Sequence, residues 1–502
     1  MMNSRFSHIR SKRCLVFAIL SLGFLFQGYA SEIEEGFKPI FNGVDLSGWD
    51  GDAKFWSVKD GAITGQTTPE NPGVKNTFLI WRQGELDDFE LRLSFRIVNG
   101  NSGIQYRSYE VGPWEVGGYQ ADIESGKQWL GACYDEHGRG PLARRGQKTI
   151  IGEKGQMKTE QIGDADALYA TVKQEDWNTY TIIARGPHLI QKINDQVTAE
   201  VIDHDPKGRR SGILALQVHS GPPMTVQFKN IRLKRYPLQD KKKVVMVAGK
   251  RSHGHGTHEH NAGCLLLKSC LDPLPEMISA VYMDGWPNDP TAFDNADTIL
   301  IYCDGGGGHP IIQNNHLDQI REPMRHGKGL VILHYAVEVP KDRGGQEFLR
   351  WIGGYYERPF STNPIWTAEF KEIPEHPITN GVKPFTLKDE WYFNMRFRPE
   401  MRGVTPLLVA TPPDDVRGTK AAKEHPGRPE IVAWCAERRN GGRGFGFTGG
   451  HYHKNWGHDD FRTIVLNAIY WTAKLEVPEG GVPSSIESAF LEKNLDNDRL
   501  RQ

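Results

Sequence analysis

Asp240-Lys-Lys-Lys-Val-Val-Met-Val-Ala-Gly-Lys-Arg-Ser-His-Gly-His-Gly-Thr-His-Glu-His-Asn261 is where the pattern of the chain changes. Upstream, short alternating runs are separated by Gly and Asn turns; downstream, continuous apolar runs alternate with helical ones. Lys241, Lys242 and Lys243 lead into an apolar strand at 244–248, and the loop after it holds His253, His255, His258 and His260. The stretch closes one domain, opens another and sets four imidazoles at the mouth of the second.

At 502 residues the chain exceeds what one hydrophobic core supports, so two or more domains are expected. Lys+Arg number 61 against 62 Asp+Glu, which leaves no basic field to hold a nucleic-acid backbone and no acidic excess. Arg5, Arg10, Lys12 and Arg13 precede an apolar run at 14–26, and Gly28 and Ala30 offer small residues for cleavage. Residues 1–30 therefore read as a signal peptide, too short to span a bilayer, and the chain is expected to be exported to the periplasm or secreted. No other stretch approaches membrane-spanning length. Beyond the signal, Cys133, Cys264, Cys270, Cys303 and Cys435 form an odd, scattered set, which predicts buried free thiols.

From residue 36 to 236 the code is that of strands. Asp60-Gly61 marks a hairpin turn, and in 89–98 Phe89, Leu91, Leu93, Phe95 and Ile97 alternate with polar residues. Further strands are expected at 103–109, 119–123, 180–184, 188–193, 212–219 and 225–233, which together predict a two-sheet sandwich of jelly-roll type. Three strands carry an unusual outer face: Gln105 and Arg107, Gln120 and Asp122, Gln217 and His219. A plain solvated face favours Lys, Glu and Thr; carboxamides, an imidazole, a guanidinium and a carboxylate are partners for sugar hydroxyls. Trp114, Trp129 and Tyr134 supply rings for stacking on a pyranose. A sugar site and ordinary solvated surface remain the two alternatives here.

Phe41-Asn-Gly, Leu46-Ser-Gly-Trp49, Asp88-Phe-Glu-Leu91, Asn101-Ser-Gly-Ile104, Gly118-Tyr-Gln-Ala-Asp122, Gly131-Ala-Cys-Tyr134, Trp177-Asn178 and Leu216-Gln-Val-His219, taken in order, resemble the 3-keto-disaccharide hydrolase family over residues 36–236. The resemblance implies a concanavalin-like sandwich that cleaves a glycoside whose ring carries a ketone at the third carbon. The ketone acidifies the neighbouring C–H, so a base can start an elimination that water then reverses by addition. On this basis Asp122 and His219 are expected to move protons, Arg107 to hold the developing charge, and Asn101, Gln105, Gln120, Tyr134 and Gln217 to orient substrate.

After a linker at 237–243, residues 244–478 read as strands at 244–248, 298–303, 329–333, 431–435 and 444–447 with helices between. Apolar runs without alternation predict a mostly parallel, flavodoxin-like sheet covered on both faces. In such sheets ligands sit beyond the carboxyl ends of the strands. Those ends carry His253 to His260, Asp304 to His309, His334, and His451 with His453, while His376, Asp389 and Glu390 come from loops. The glycine run after Asp304 lacks a following Lys-Ser/Thr and is no phosphate loop. Imidazoles with a carboxylate suit a divalent transition metal, and His258, His334, Glu390 and His451 are its expected holders. No other cofactor is indicated.

Ser252-His253, Thr257-His-Glu259, Gly327-Lys-Gly-Leu-Val-Ile-Leu-His334, His376-Pro-Ile-Thr-Asn-Gly381, Asp389-Glu-Trp-Tyr392 and Gly442-Arg-Gly-Phe-Gly-Phe-Thr-Gly-Gly-His451 resemble the trehalose-utilisation, ThuA-like family over residues 243–476. That implies a class I glutamine amidotransferase-like fold, with His334 where thiol enzymes of this type place cysteine, and a role with disaccharides or their keto derivatives. Within the loop, His253 and His258 fit the family pattern, and His255 and His260 are expected to face solvent. Residues 479–502 form a polar tail with a short docking helix around Ile486, Phe490 and Leu491. Three functions remain: a 3-keto glycoside hydrolase or lyase, a sugar-binding sandwich on a catalytic α/β domain, and a non-catalytic sugar-binding protein. The partner in each is a small carbohydrate, with neither nucleic acid nor membrane span after signal removal.

Overall fold

Trp56–Lys59 and Ala62–Gln66 pair antiparallel across Asp60 (φ 52°) and Gly61 (φ 72°). Two successive left-handed residues make the turn whose twist matches a hairpin, as the Asp-Gly pair predicts. Asn194 (φ 48°) and Asp195 (φ 65°) make the same kind of turn between His188–Ile193 and Gln196–Asp203. Phe89–Val98 buries its predicted apolar face completely. The computed structural model describes residues 34–496; the expected signal peptide lies outside them.

The N-terminal strands form a ten-stranded and a seven-stranded sheet, packed face to face across a core that includes Trp81, Tyr106, Tyr180 and Phe228. The seven-stranded sheet runs in the order Gly140–Ala143, Cys133–Glu136, Glu115–Glu124, Asn101–Gly112, Gly212–Val218, Thr77–Leu86, Trp49–Asp50. Its outer face carries most of the predicted sugar-directed residues.

The second domain is built on one mixed sheet: Met277–Tyr282, Lys242–Ala248, Thr298–Tyr302, Gly329–Leu333 and Arg443–Phe447 are parallel, and Glu430–Glu437 and Val404–Ala410 add antiparallel. Apolar clusters cover both faces, which explains the continuous apolar code of the central strands. Helices His260–Leu271, His316–Arg325 and Asp459–Thr472 lie where helical runs were expected. Two strands at the sheet margins, Met277–Tyr282 and Val404–Ala410, and the hairpin Trp366–Phe370 with Phe385–Asp389, were not anticipated. The C-terminal helix is Ser488–Leu491, with Phe490 and Leu491 packed on the core. Cys133, Cys264, Cys270, Cys303 and Cys435 are all buried and free. Among the described residues no helix is long and apolar enough to cross a membrane.

The junction departs from the expected linker. The strand begins at Lys242, and Lys243 is buried rather than solvated. Its Nζ donates to Asp87 Oδ2 (2.5 Å) and Asn295 Oδ1 (2.9 Å). Arg235, from the last sandwich strand, donates to Asp289 Oδ2 (2.7 Å), Thr291 Oγ1 (2.7 Å) and Asp87 Oδ1 (3.3 Å). Burial would raise the Asp87 carboxyl, but Lys243 and Arg235 outweigh it and hold the group at about 2. Sandwich and α/β domain thus share a buried ionic joint and pack as one compact unit.

Candidate functional site

On the seven-stranded sheet the register sets Asn101 opposite Glu124, Gly103 opposite Asp122, and Gln105 opposite Gln120. Gln120 in turn faces Tyr134, Ala215 faces Gln105, and Gln217 faces Phe78. Ile104, Tyr106, Ala121, Ile123, Leu216 and Val218 enter the core between the sheets, so the polar residues interleaved with them share the outer face. Phe78, Ile80, Val116 and Ala215 form a small apolar patch beside them.

A directional chain of hydrogen bonds crosses this face. Ser108 Oγ–H donates to Gln105 Oε1 (2.8 Å), Gln105 Nε2 to Gln120 Oε1 (2.8 Å), and Gln120 Nε2 to Asp122 Oδ1 (2.7 Å). The chain fixes both carboxamides and ends on a carboxylate. Burial pushes the Asp122 carboxyl well above the usual range, against the pull of Gln120 and with help from Glu136 and Glu124. Gln217 is fully buried, and neither its carboxamide oxygen nor its nitrogen has a protein partner. Gly103 lets Gln120 lie across the sheet: a Cβ there would stand 2.4 Å from the Gln120 carboxamide carbon.

Asn101, Tyr134 and His219 are half-buried at the rim. His219 Nδ1–H donates to the Ser220 carbonyl (2.6 Å), which leaves Nε2 to work. Trp129 meets Tyr134 edge-on at 5.7 Å, while the Trp114 indole donates to Asp50 (3.0 Å). Arg107 is a correction. Its φ of 47° and a register shift after Tyr106 break the alternation, and its side chain leaves the polar row. The guanidinium donates to the Asp87 carbonyl (2.6 Å), the Gly186 carbonyl (2.7 Å) and Asp88 Oδ1 (2.8 Å), all at a corner of the ten-stranded sheet. Glu124 and Glu136, which raise the Asp122 carboxyl, were missed; their two-residue spacing from Asp122 and Tyr134 was the available signal.

In the α/β domain three strand ends converge. In chain order, His258 follows the first, His334 the fourth and His451 the fifth parallel strand of the sheet, and Glu390 arrives on the hairpin that ends at Asp389. His258 Nε2 lies 3.1 Å from His334 Nε2 and 3.0 Å from His451 Nδ1. Glu390 Oε2 lies 3.1, 3.5 and 3.9 Å from the same atoms of His451, His334 and His258. His258 (φ 50°) and His334 (φ 52°) both hold left-handed backbone, a conformation side chains disfavour and which clusters at functional sites.

Each buried imidazole has a partner behind it. His258 Nδ1 meets Asp304 Oδ1 at 2.8 Å, and His334 Nδ1 meets the Thr448 carbonyl at 2.8 Å. Burial would raise Glu390, but its close contacts with the imidazoles of His258, His334 and His451 hold it far below the usual carboxylate range. Asp304 is likewise held at about 2, its burial outweighed by His258 and Ser252. Burial lowers His334, whereas Asp304 and Glu390 overcome burial at His258 and raise it. His253 stacks on His258 with ring centres 3.6 Å apart, at the exposed mouth.

Other predicted residues sit elsewhere or serve indirectly. Asp389 accepts the backbone N–H of Gly450 and of His451 (both 3.0 Å) and so positions the His451 loop. His376 accepts the Ile378 N–H (3.1 Å) as the cap of a short helix and lies beside Cys435 and Trp471, apart from the centre. His453 is buried, and burial pushes its imidazole down to about 4. His260, expected in solvent, is buried as the first residue of its helix, and burial lowers it to about 3. Asp304 was visible only as the residue before the glycine run.

Residues 36–234 match the family model of the 3-keto-alpha-glucoside-1,2-lyase-like domain, and residues 289–472 match that of trehalose utilisation, the two families resembled by the motifs. The second match starts later than the motifs suggest, leaving His258 upstream of it. No curated protein matches the chain. Similar solved structures include a candidate glycosyl hydrolase from Parabacteroides distasonis, 20% identical over 40% of this chain and 99% of that one, with a TM-score of 0.28. The carbohydrate binding module CBM66 from Bacillus subtilis is 15% identical over 37% and 95%, with a TM-score of 0.25. A candidate ThuA-like protein from Bacteroides uniformis is 15% identical over 47% and 94%, with a TM-score of 0.36.

Proposed function

We propose that the protein is an exported carbohydrate-active enzyme whose sandwich cleaves 3-keto glycosides by elimination and hydration, with the α/β domain acting on a related sugar. The observation that carries this reading is the pairing, on one rung of the sheet, of a buried, proton-hungry Asp122 with Gly103, next to the unpartnered carboxamide of Gln217. A raised carboxyl is a stronger base, and a buried N–H without a partner is ready to bind a developing oxyanion.

In this mechanism Asp122 takes the proton from the carbon next to the ketone. The C–H electron pair forms an enolate, whose oxygen receives the Gln217 N–H. The enolate collapses to a carbon–carbon double bond as the glycosidic C–O bond breaks, and His219, protonated at Nε2, gives its proton to the leaving oxygen. Water then adds across the enone and restores the 3-keto sugar. Arg107 has no part in this, being committed to Asp88 and two carbonyls.

Full-length protein tested on a 3-keto glycoside decides the matter: Asp122→Asn and His219→Ala should each lose cleavage, and full activity in both variants places the site elsewhere. A sugar-binding sandwich on a catalytic α/β domain is the second reading, favoured by the histidine centre. Loss of turnover in Glu390→Gln but not in Asp122→Asn would establish it.

A further inference from the structure

We infer that the α/β domain holds a transition-metal centre, with His258 Nε2, His334 Nε2, His451 Nδ1 and Glu390 Oε2 as its four ligands and room for a fifth toward the His253 side. Proton bookkeeping leads there first. The Thr448 carbonyl can only accept, so His334 carries its hydrogen on Nδ1 and offers a lone pair at Nε2. Asp304 Oδ1 stands 2.8 Å from His258 Nδ1 and accepts its hydrogen, so His258 Nε2 is likewise a lone pair. These two lone pairs point at each other across 3.1 Å. Glu390 Oε2, a third acceptor, stands 3.1 Å from His451 Nδ1. One proton can bridge one such pair; a single cation in the middle satisfies all four atoms.

The dimensions suit a small ion. A tetrahedron with bonds of about 2.0–2.1 Å to nitrogen and oxygen has edges of about 3.3–3.4 Å. The measured separations of 3.0, 3.1, 3.1, 3.5 and 3.9 Å bracket that edge. Three imidazoles disfavour calcium and magnesium, which take oxygen, and favour zinc or a neighbouring transition ion. The supporting shell is of the kind that fixes tautomers in metal sites: Asp304 behind His258, a backbone carbonyl behind His334, and Asn363 Nδ2 donating to the other Glu390 oxygen (3.1 Å).

Exposure supplies the direction of opening. His258 and His334 are sealed, whereas Glu390 and His451 keep 16% and 13% of their side-chain surface. His253, stacked on His258, and Tyr335, 5.9 Å from that ring, flank the opening. The group admitted there is an oxygen donor, such as a sugar hydroxyl or carbonyl. The inference does not depend on the sandwich reading, because its ligands and its test lie wholly in the other domain.

The test uses the full chain, stripped with a chelator and titrated with Co2+ and Zn2+. The expected result is about one ion per chain, and a cobalt absorption spectrum characteristic of nitrogen and oxygen ligands. Glu390→Gln and His451→Ala, both at partly open positions, should weaken binding by 100-fold or more while circular dichroism stays native. Asp304→Asn should weaken it by about 10–100-fold, as loss of an outer partner does. His376→Ala should bind as the parent does. Failure of the folded parent to bind either ion, or equal binding by the Glu390 and His451 variants, overturns the inference, and keto-glycoside cleavage by the sandwich would survive either outcome.

Discussion

Two buried polar clusters of this protein look alike in composition and differ in bookkeeping. At the junction, Lys243 and Arg235 meet Asp87, Asp289, Asn295 and Thr291, and the cations and carboxylates answer one another. At the strand ends, His258 and His334 turn Nε2 lone pairs toward one another and toward Glu390, their Nδ1–H groups already given to Asp304 and the Thr448 carbonyl, with His451 beside them. The first arrangement is complete and holds domains together; the second is incomplete and invites a ligand. The outer face of the sandwich lies between them, with a finished relay into Asp122 beside an unanswered Gln217.

Breaking the complete cluster should have the largest effect. Asp87→Ala leaves Lys243 and Arg235 buried without a shared acceptor and should cost about 3–5 kcal/mol, read as a fall in the urea midpoint. A change below about 1 kcal/mol would mean that the joint is hydrated and the comparison fails. Removing the base is next: Asp122→Asn should lower kcat/KM on a 3-keto glycoside by about 10²–10⁴-fold.

The same residue gives a sign to the pH dependence. The folded carboxyl lies well above its ordinary value of 3.8, so the stability from its protonated form is fully present below that value. It is lost as pH rises through the folded value, the range over which cleavage should increase as the base ionises. At neutral pH Asp122→Asn should therefore melt at the same temperature as the parent or higher. A lower melting temperature would show that the charged form is structurally required.

Smaller effects separate support from chemistry. Arg107→Lys, which keeps the charge but loses the fork to Asp88 and two carbonyls, should cost about 1–3 kcal/mol and leave KM and kcat unchanged. A selective loss of kcat would return Arg107 to the reaction. His376→Ala should cost about 1 kcal/mol through its lost helix cap, without effect on either centre.

Much of this was legible because it is local. Alternation along 89–98 and along the polar strands states which side chains share a face, since the strand period is two. Unbroken apolar runs state that a sheet is covered on both sides. Histidines placed directly after such runs had to gather at one edge. The same logic failed where one backbone angle broke the period, at Arg107, and where a charged run was buried by partners distant in sequence, at Lys243. His260 was misread because, in the loop, charge and polarity suggest solvent, whereas the first turn of the helix turned it inward.

The sequence by itself determined the two architectures, the chemical inventory of each face, and the set of histidines able to meet. Tertiary structure alone decided which of them do: His258 and His451, 193 positions apart, touch, while half-buried His376 is held beside Cys435. It also decided that Asp304, rather than solvent, stands behind His258. The physical reason is that face and period are set by neighbouring dihedrals. Proximity, desolvation and the choice of hydrogen-bond partner depend on how distant elements pack.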